Sequence, residues 1–201
     1  MCQPAAIQAL DRMSDGALHQ GVVAKRLPPN LFELDAVIDD FAARQTPPLL
    51  LALDKVQDPQ NLGACLRVAD AAGVDAVITL KDGAAPLTGA VCKAASGAMD
   101  TVPIVMCTNL ARAFRALKAA GVWIIGAADS APISYFEADY RSPSCLVVGA
   151  EGRGLRHLTA AHCDLQVAIP MHGAVDSLNV ATATAVCLFE ASRQRTAGSP
   201  A

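Results

Sequence analysis

Charge, aromatic side chains and long hydrophobic runs are all scarce in this sequence, and each shortage removes a class of protein. Charged residues make up 17% of the chain and aromatics 4%. With 16 Lys and Arg against 19 Asp and Glu, the formal net charge is −3, so the basic character that marks many nucleic-acid binders is missing. Any contact with a polyanion must therefore be local. The longest apolar runs, such as LLLAL and CLVVGA, fall far short of the roughly 20 residues that a bilayer crossing requires. No basic start leads into an apolar segment, so no signal peptide is expected and the cytoplasm is the expected location. Seven cysteines (Cys2, Cys65, Cys92, Cys107, Cys145, Cys163 and Cys187) lie scattered in mostly apolar surroundings, without a CxxC pair or a His/Cys cluster at zinc spacing. They read as small reduced core residues, and no metal is expected.

What is present is a globular chain. At 201 residues and 53% hydrophobic, it can bury one full core with an appendage but hardly two. From Leu49 onward, short apolar runs alternate with amphipathic segments. LLLALD (49–54), DAVITL (75–80), VPIVMC (102–107), VWIIGA (122–127), SCLVVGA (144–150) and LQVAIP (165–170) have the composition and length of buried strands. Helical patterns fall at 60–72, about 87–97, 109–120 and 178–194. The expected fold class is α/β, a mostly parallel sheet with helices on both faces. Residues 1–45 stand apart: turn residues and paired prolines precede the helical pattern LFELDAVIDDFAARQ, and the region reads as a domain's last strand followed by a linker.

Three stretches carry chemistry. In DPQNLGACLR (58–67), Asp58 and Pro59 suit an N-cap and a first helical position. Leu62, Cys65, Leu66, Ala69 and Ala72 form the buried stripe of that helix, and Arg67 projects away from it. In LVVGAEGRGL (146–155), a buried strand runs into three glycines around Glu151 and Arg153. Glycines permit sharp turns and close approach to a ligand. Their order is GxxGxG and they follow a late strand, so this is not the dinucleotide fingerprint. In IPMHGAVDSLNVATATAV (169–186), a strand end breaks into a polar loop and then a helix of small residues. Open α/β sheets gather ligands outside the carboxyl ends of their strands, which is where all three stretches should fall. Taken singly, a surface arginine, a capping asparagine or a tight turn is the better reading of each feature.

In order and spacing, NLGACLR, VVGAEGRGL and IPMHGAVDSLNVATATAV together resemble the three motifs of the SpoU (TrmH-type) branch of the SPOUT RNA methyltransferases, over residues 49–195. KDGAAPL, ASGAMDTVP, TNLARAFRALKAAGVWIIG and HQGVVA are similar to the bacterial members that methylate a guanosine ribose 2′-hydroxyl in large-subunit ribosomal RNA. The resemblance implies a C-terminal trefoil knot, a threading that connection rules alone would not propose. It implies an S-adenosylmethionine pocket in which Gly149, Ile169 and Leu178 contact the cofactor through their main chain. It places Arg67 at the catalytic centre, with Asn61, Glu151, Ser177 and Asn179 around it. A guanidinium holds its proton up to a pKa above about 12, so Arg67 is better suited to anchoring phosphate and stabilising a developing oxyanion than to acting as a base.

The resemblance further implies a homodimer through the C-terminal helix, with RNA as substrate and no membrane or metal partner. It divides the chain into 1–45, the remnant of an N-terminal RNA-binding domain plus linker, 46–195, the catalytic domain, and 196–201, a tail. Gly83 in KDGAAPL stands where relatives commonly carry a basic residue, a departure that weakens a local phosphate contact. His172 in the third motif reads as a loop histidine, and His19, His157 and His162 have no metal spacing. A transfer RNA methyltransferase and a catalytically silent knotted RNA-binding or assembly factor are the alternatives. An NAD-type oxidoreductase fits less well, having no Gly-rich loop after its first strand.

Overall fold

The computed structural model describes residues 2–16, 18–25, 27–44, 46–150, 152 and 154–197. In chain order the elements are α1 (Ile7–Met13), β1 (Leu31–Phe32), α2 (Leu34–Ala42), β2 (Leu49–Asp54), α3 (Pro59–Ala71), β3 (Ala76–Leu80), α4 (Gly89–Ala95), α5 (Ala98–Thr101) and β4 (Ile104–Cys107). They continue with α6 (Leu110–Ala119), β5 (Trp123–Ala127), β6 (Ile133–Ser134), β7 (Ser144–Gly149), α7 (His157–Ala160), β8 (Leu165–Ala168) and α8 (Val180–Thr196). The strands form one sheet in the order β1-β4-β3-β2-β7-β5-β8-β6. Every pairing between these strands is parallel.

All six residues of β2 are buried, which its uninterrupted apolar run requires. Successive side chains point to opposite faces, so one strand feeds two cores. Leu49, Leu51 and Leu53 pack with Leu62, Cys65 and Leu66 of α3 and with Cys187 and Leu188 of α8. Leu50 and Ala52 face the other way, toward Val37 and Phe41 of α2 and Leu110, Phe114 and Leu117 of α6. Helices thus cover both faces. The chain leaves β2 toward β3 on one side, while β7 later inserts on the other, and this reversal opens a crevice at the carboxyl ends of β2 and β7.

The helix starts follow their caps. Asp58 accepts from the Asn61 amide at 3.0 Å and Pro59 opens α3, as the Asp-Pro step predicts. Asn109 caps α6 by accepting from Ala111 and Arg112.

Several local expectations are corrected. The helical pattern at 87–97 breaks into α4 and α5 because Ser96 and Gly97 both adopt left-handed backbone, with φ of 50° and 100°. LFELDAVIDDFAARQ starts as the short strand β1, with Leu31 and Phe32 in register with Ile104 and Val105, and only then turns helical. The strand expected near the chain start is absent among the described residues, where IQALDRM instead forms α1 with no buried residue. The sheet is wholly rather than mostly parallel, apart from an isolated antiparallel bridge between Ala150 and Gly154 outside its strands.

Candidate active site

The crevice is shaped first by a glycine. At Gly149, the last residue of β7, an added Cβ would lie 2.0 Å from the Gly154 carbonyl oxygen and 2.5 Å from the Leu155 nitrogen. The chain returns immediately over this residue, the Gly154 amide donating to the Ala150 oxygen at 3.0 Å. Gly149 is therefore required by its own loop, which passes too close for any side chain. Gly152 and Gly154, at φ of 70° and 59°, complete the turn.

A buried carboxylate then fixes the loop. Asp54 ends β2 in register with Gly149, and its side chain is wholly enclosed. It accepts from the Arg156 amide at 3.1 Å and from the guanidinium Nε and Nη2 at 2.7 and 2.6 Å. Such a charge is tolerated inside only when paired and hydrogen-bonded. The sequence reading missed both residues. The available signal was an aspartate closing an otherwise apolar strand.

The segment after β8 supplies the opposite wall. Ile169, Met171, Ser177 and Leu178 face Gly149, Ala127, Ala128 and Asp129 across one mostly apolar cleft, the usual make-up of a small-molecule site. Gly149, Ile169 and Leu178, the three expected cofactor contacts, line this one cleft, and Ser177 joins them. Among the described residues, the main-chain groups of Ser177 and Leu178 take part in no backbone hydrogen bond. Main-chain donors and acceptors left open in an apolar cleft are what a nucleoside needs. The residues present therefore fit the expected cofactor.

Asn179 caps α8 by accepting from the Ala181 amide at 2.9 Å. Its amide nitrogen donates to the Asn61 side-chain oxygen at 2.8 Å. Two expected site residues, 118 positions apart, so meet beside the cleft. Arg67 does not join them. It lies on exposed helix surface about 9 Å along the axis from Asn61, and its Nη1 reaches Ser96 Oγ at 3.5 Å. Glu151 lies outside the described residues. His172 is exposed, and no group of three or more His, Cys, Asp or Glu suited to a metal occurs among the described residues.

A parallel α/β sheet with a cleft at its switch point defines a ligand-binding class that includes cofactor-dependent transferases. The narrower assignment comes from comparison. Residues 48–189 match the model of the SpoU rRNA Methylase family, and the chain belongs to that family. It is 52% identical over 193 residues to the 23S rRNA (guanosine-2′-O-)-methyltransferase RlmB of Ralstonia nicotianae, covering 96% of this chain and 76% of that relative. Against the enzyme of the same description from Vibrio cholerae, identity is 53%, covering 94% and 76%. Among solved structures, the SpoU methyltransferase AviRb from Streptomyces viridochromogenes in complex with AdoMet superposes with a TM-score of 0.72 at 30% identity. The match covers 79% of this chain, which spans 65% of the AviRb chain. The A. aeolicus TrmH/SpoU tRNA modifying enzyme gives 0.69 at 29% identity, covering 82% and 83%.

Proposed function

We propose that this chain transfers a methyl group from S-adenosylmethionine to the ribose 2′-hydroxyl of a guanosine in large-subunit ribosomal RNA. The observation that carries the reading is the single cleft uniting Gly149, Ile169, Ser177 and Leu178, in a chain about half identical to relatives described by that reaction. The cofactor, when bound, supplies an activated methyl carbon. The protein must hold the acceptor ribose in line, help its hydroxyl lose a proton and exclude water. Main-chain groups of Gly149, Ile169 and Leu178 hold the nucleoside. The Asn61–Asn179 pair and Ser177 orient the acceptor side, and Glu151 orients the arginine or the cofactor-side backbone. Arg67 anchors the RNA phosphate and stabilises negative charge developing on the 2′-oxygen, a task for a cation that keeps its proton.

The same reading takes residues 46–195 as the catalytic domain, with α2 packed against its second core. It takes the C-terminal part of the sheet as a trefoil knot, supported by the return of the 169–179 segment from the far side of β5 to Asn61 on α3. It places the protein in the cytoplasm, as a homodimer needing no metal; no helix among the described residues is long and apolar enough to cross a membrane. The likeness to a tRNA modifying enzyme favours one second reading, transfer RNA as the substrate.

The test is methyl transfer from labelled cofactor to a large-subunit RNA fragment and, in parallel, to transfer RNA, with products mapped by methylation-sensitive hydrolysis. Label at a guanosine 2′-oxygen of the ribosomal fragment is expected. Label on transfer RNA alone would move the substrate, and label on a base would overturn the reaction.

A further inference from the structure

One strained residue at the mouth of the crevice has no partner for its charge among the described residues. Lys55 follows Asp54 at the end of β2 and adopts left-handed backbone, with φ of 60°. That region disfavours residues with a Cβ, and an outlier of this kind is held by its surroundings and concentrates at functional sites. Because Asp54 is in register with Gly149, Lys55 leaves the sheet one residue beyond the floor of the cofactor cleft. Continuing the register of Ala52 with Ile78 brings Lys81 to the same level on the other side.

The side chain lies against the next turn. A Cβ built on Gly83 would stand 3.2 Å from Lys55 Cε and 3.5 Å from its Nζ, so the end of the lysine lies across a turn that offers no side chain of its own. The turn is pinned to the same strand end, the Ala85 amide donating to the Val56 oxygen at 2.8 Å. Lys55 is half-buried. Among the described residues its ammonium makes no hydrogen bond or ion pair. The nearest carboxylate along the chain, Asp54, is already committed to Arg156. Exposed Asp82 on the neighbouring turn makes no ion pair with it either. Lys81 and Arg156 add positive charge at this edge, both favouring the thiolate of Cys107 although burial, the larger effect, raises that thiol overall.

We propose that Lys55 is an RNA-positioning residue, its ammonium held ready for a backbone phosphate of the substrate strand beside the methylated nucleotide. This rests on the reading of the chain as an RNA methyltransferase. A fixed cation without a counter-charge adds affinity through counterion release, independent of sequence. It also gives a use to a lysine that stands where glycine would be relaxed.

The experiment compares wild type with Lys55→Gly and Lys55→Arg in the 201-residue chain, using a transcribed large-subunit RNA fragment as probe. Binding is measured across a salt series, beside cofactor affinity by calorimetry and the thermal midpoint. Lys55→Gly should bind the RNA about fivefold more weakly, with the slope of log affinity against log salt smaller by about 0.7–0.9. Its thermal midpoint should stay level or rise, because glycine accepts this backbone. Cofactor affinity should be unchanged, and Lys55→Arg should keep the wild-type slope. An unaltered slope in Lys55→Gly overturns the proposal, as does a lowered midpoint with no rescue by arginine. If wild type itself neither binds nor methylates the fragment, the functional reading beneath the proposal fails instead.

Discussion

A single missing Cβ decides whether the cofactor loop can exist. At Gly149 the obstacle to a side chain is the loop's own backbone at Gly154, which cannot swing aside as a flexible side chain would. Gly149→Val should therefore lower the thermal midpoint as well as abolish S-adenosylmethionine binding, measured by circular dichroism melting and calorimetry. Even Gly149→Ala should weaken both. A valine variant with unchanged cofactor affinity would remove the cleft from the site. Arg67 presents the opposite case, since it is exposed and its one hydrogen bond to Ser96, at 3.5 Å, is long. Its removal should spare the fold. Arg67→Ala is expected to lose about a hundredfold or more in methyl transfer while cofactor affinity is nearly retained. Arg67→Lys should recover only part, because it keeps the charge and loses the planar fork. Near-wild-type turnover by the alanine variant would take Arg67 out of the mechanism.

The C-terminal element shows why some of the architecture could be read from residues and some could not. Arg195, in the last turn of α8, donates to the carbonyls of Tyr140, Pro47, Pro48 and Ser142 and to the Ser144 hydroxyl. One side chain thus ties the end of α8 to the entries of β2 and β7, and burial lowers its pKa from the ordinary value. Arg195→Ala removes all five bonds; the Pro48 and Ser142 oxygens keep the Ser144 amide and hydroxyl as donors, and the Tyr140 and Pro47 carbonyls lose theirs. It should destabilise the fold by about 2–3 kcal/mol, readable as a lower urea midpoint with cofactor binding retained in the folded fraction. Full stability in that variant would show that the tie is redundant. Nothing local announces such a residue, because its partners lie 51 to 148 positions away. The pairings of Asp54 with Arg156 and of Asn61 with Asn179 span similar separations, although an aspartate closing an apolar strand and the motif positions of the two asparagines did mark those residues. Buried strands such as LLLALD were legible because burial on both faces demands an unbroken apolar run. Strands β1 and β6, at two residues each, are too short to leave a period. The break between α4 and α5 was hidden by Ser96, a residue type that does not advertise positive φ. The site itself was legible mainly through the order and spacing of its three motifs.

At the scale of the whole molecule, α8 has an inner face and an outer one. Val180, Ala181, Thr184, Cys187, Leu188 and Ala191 are buried within the protomer, and Thr184 Oγ1 lies 3.7 Å from Cys65 Sγ of α3. Part of the small-residue stripe that the sequence offers for dimer packing is therefore spent on internal close approach. Turned away from that face are Thr182, Val186 and Phe189, spaced as one side of a helix. Phe189 is 51% exposed, the large apolar side chain of this outer stripe. If the homodimer forms through α8, this outer stripe is its contact, and a charge at its centre should be fatal to association while leaving the inner face intact. Phe189→Glu is therefore expected to shift the chain from dimer to monomer in sedimentation equilibrium, with the helical signal preserved. S-adenosylmethionine affinity reports whether the cleft is complete within one protomer. Little change in the monomer would mean that one protomer binds the cofactor alone, and a large loss would mean that the partner helps to hold the 169–179 segment in place. A variant that remains dimeric would place the interface elsewhere and leave Phe189 without a role in assembly.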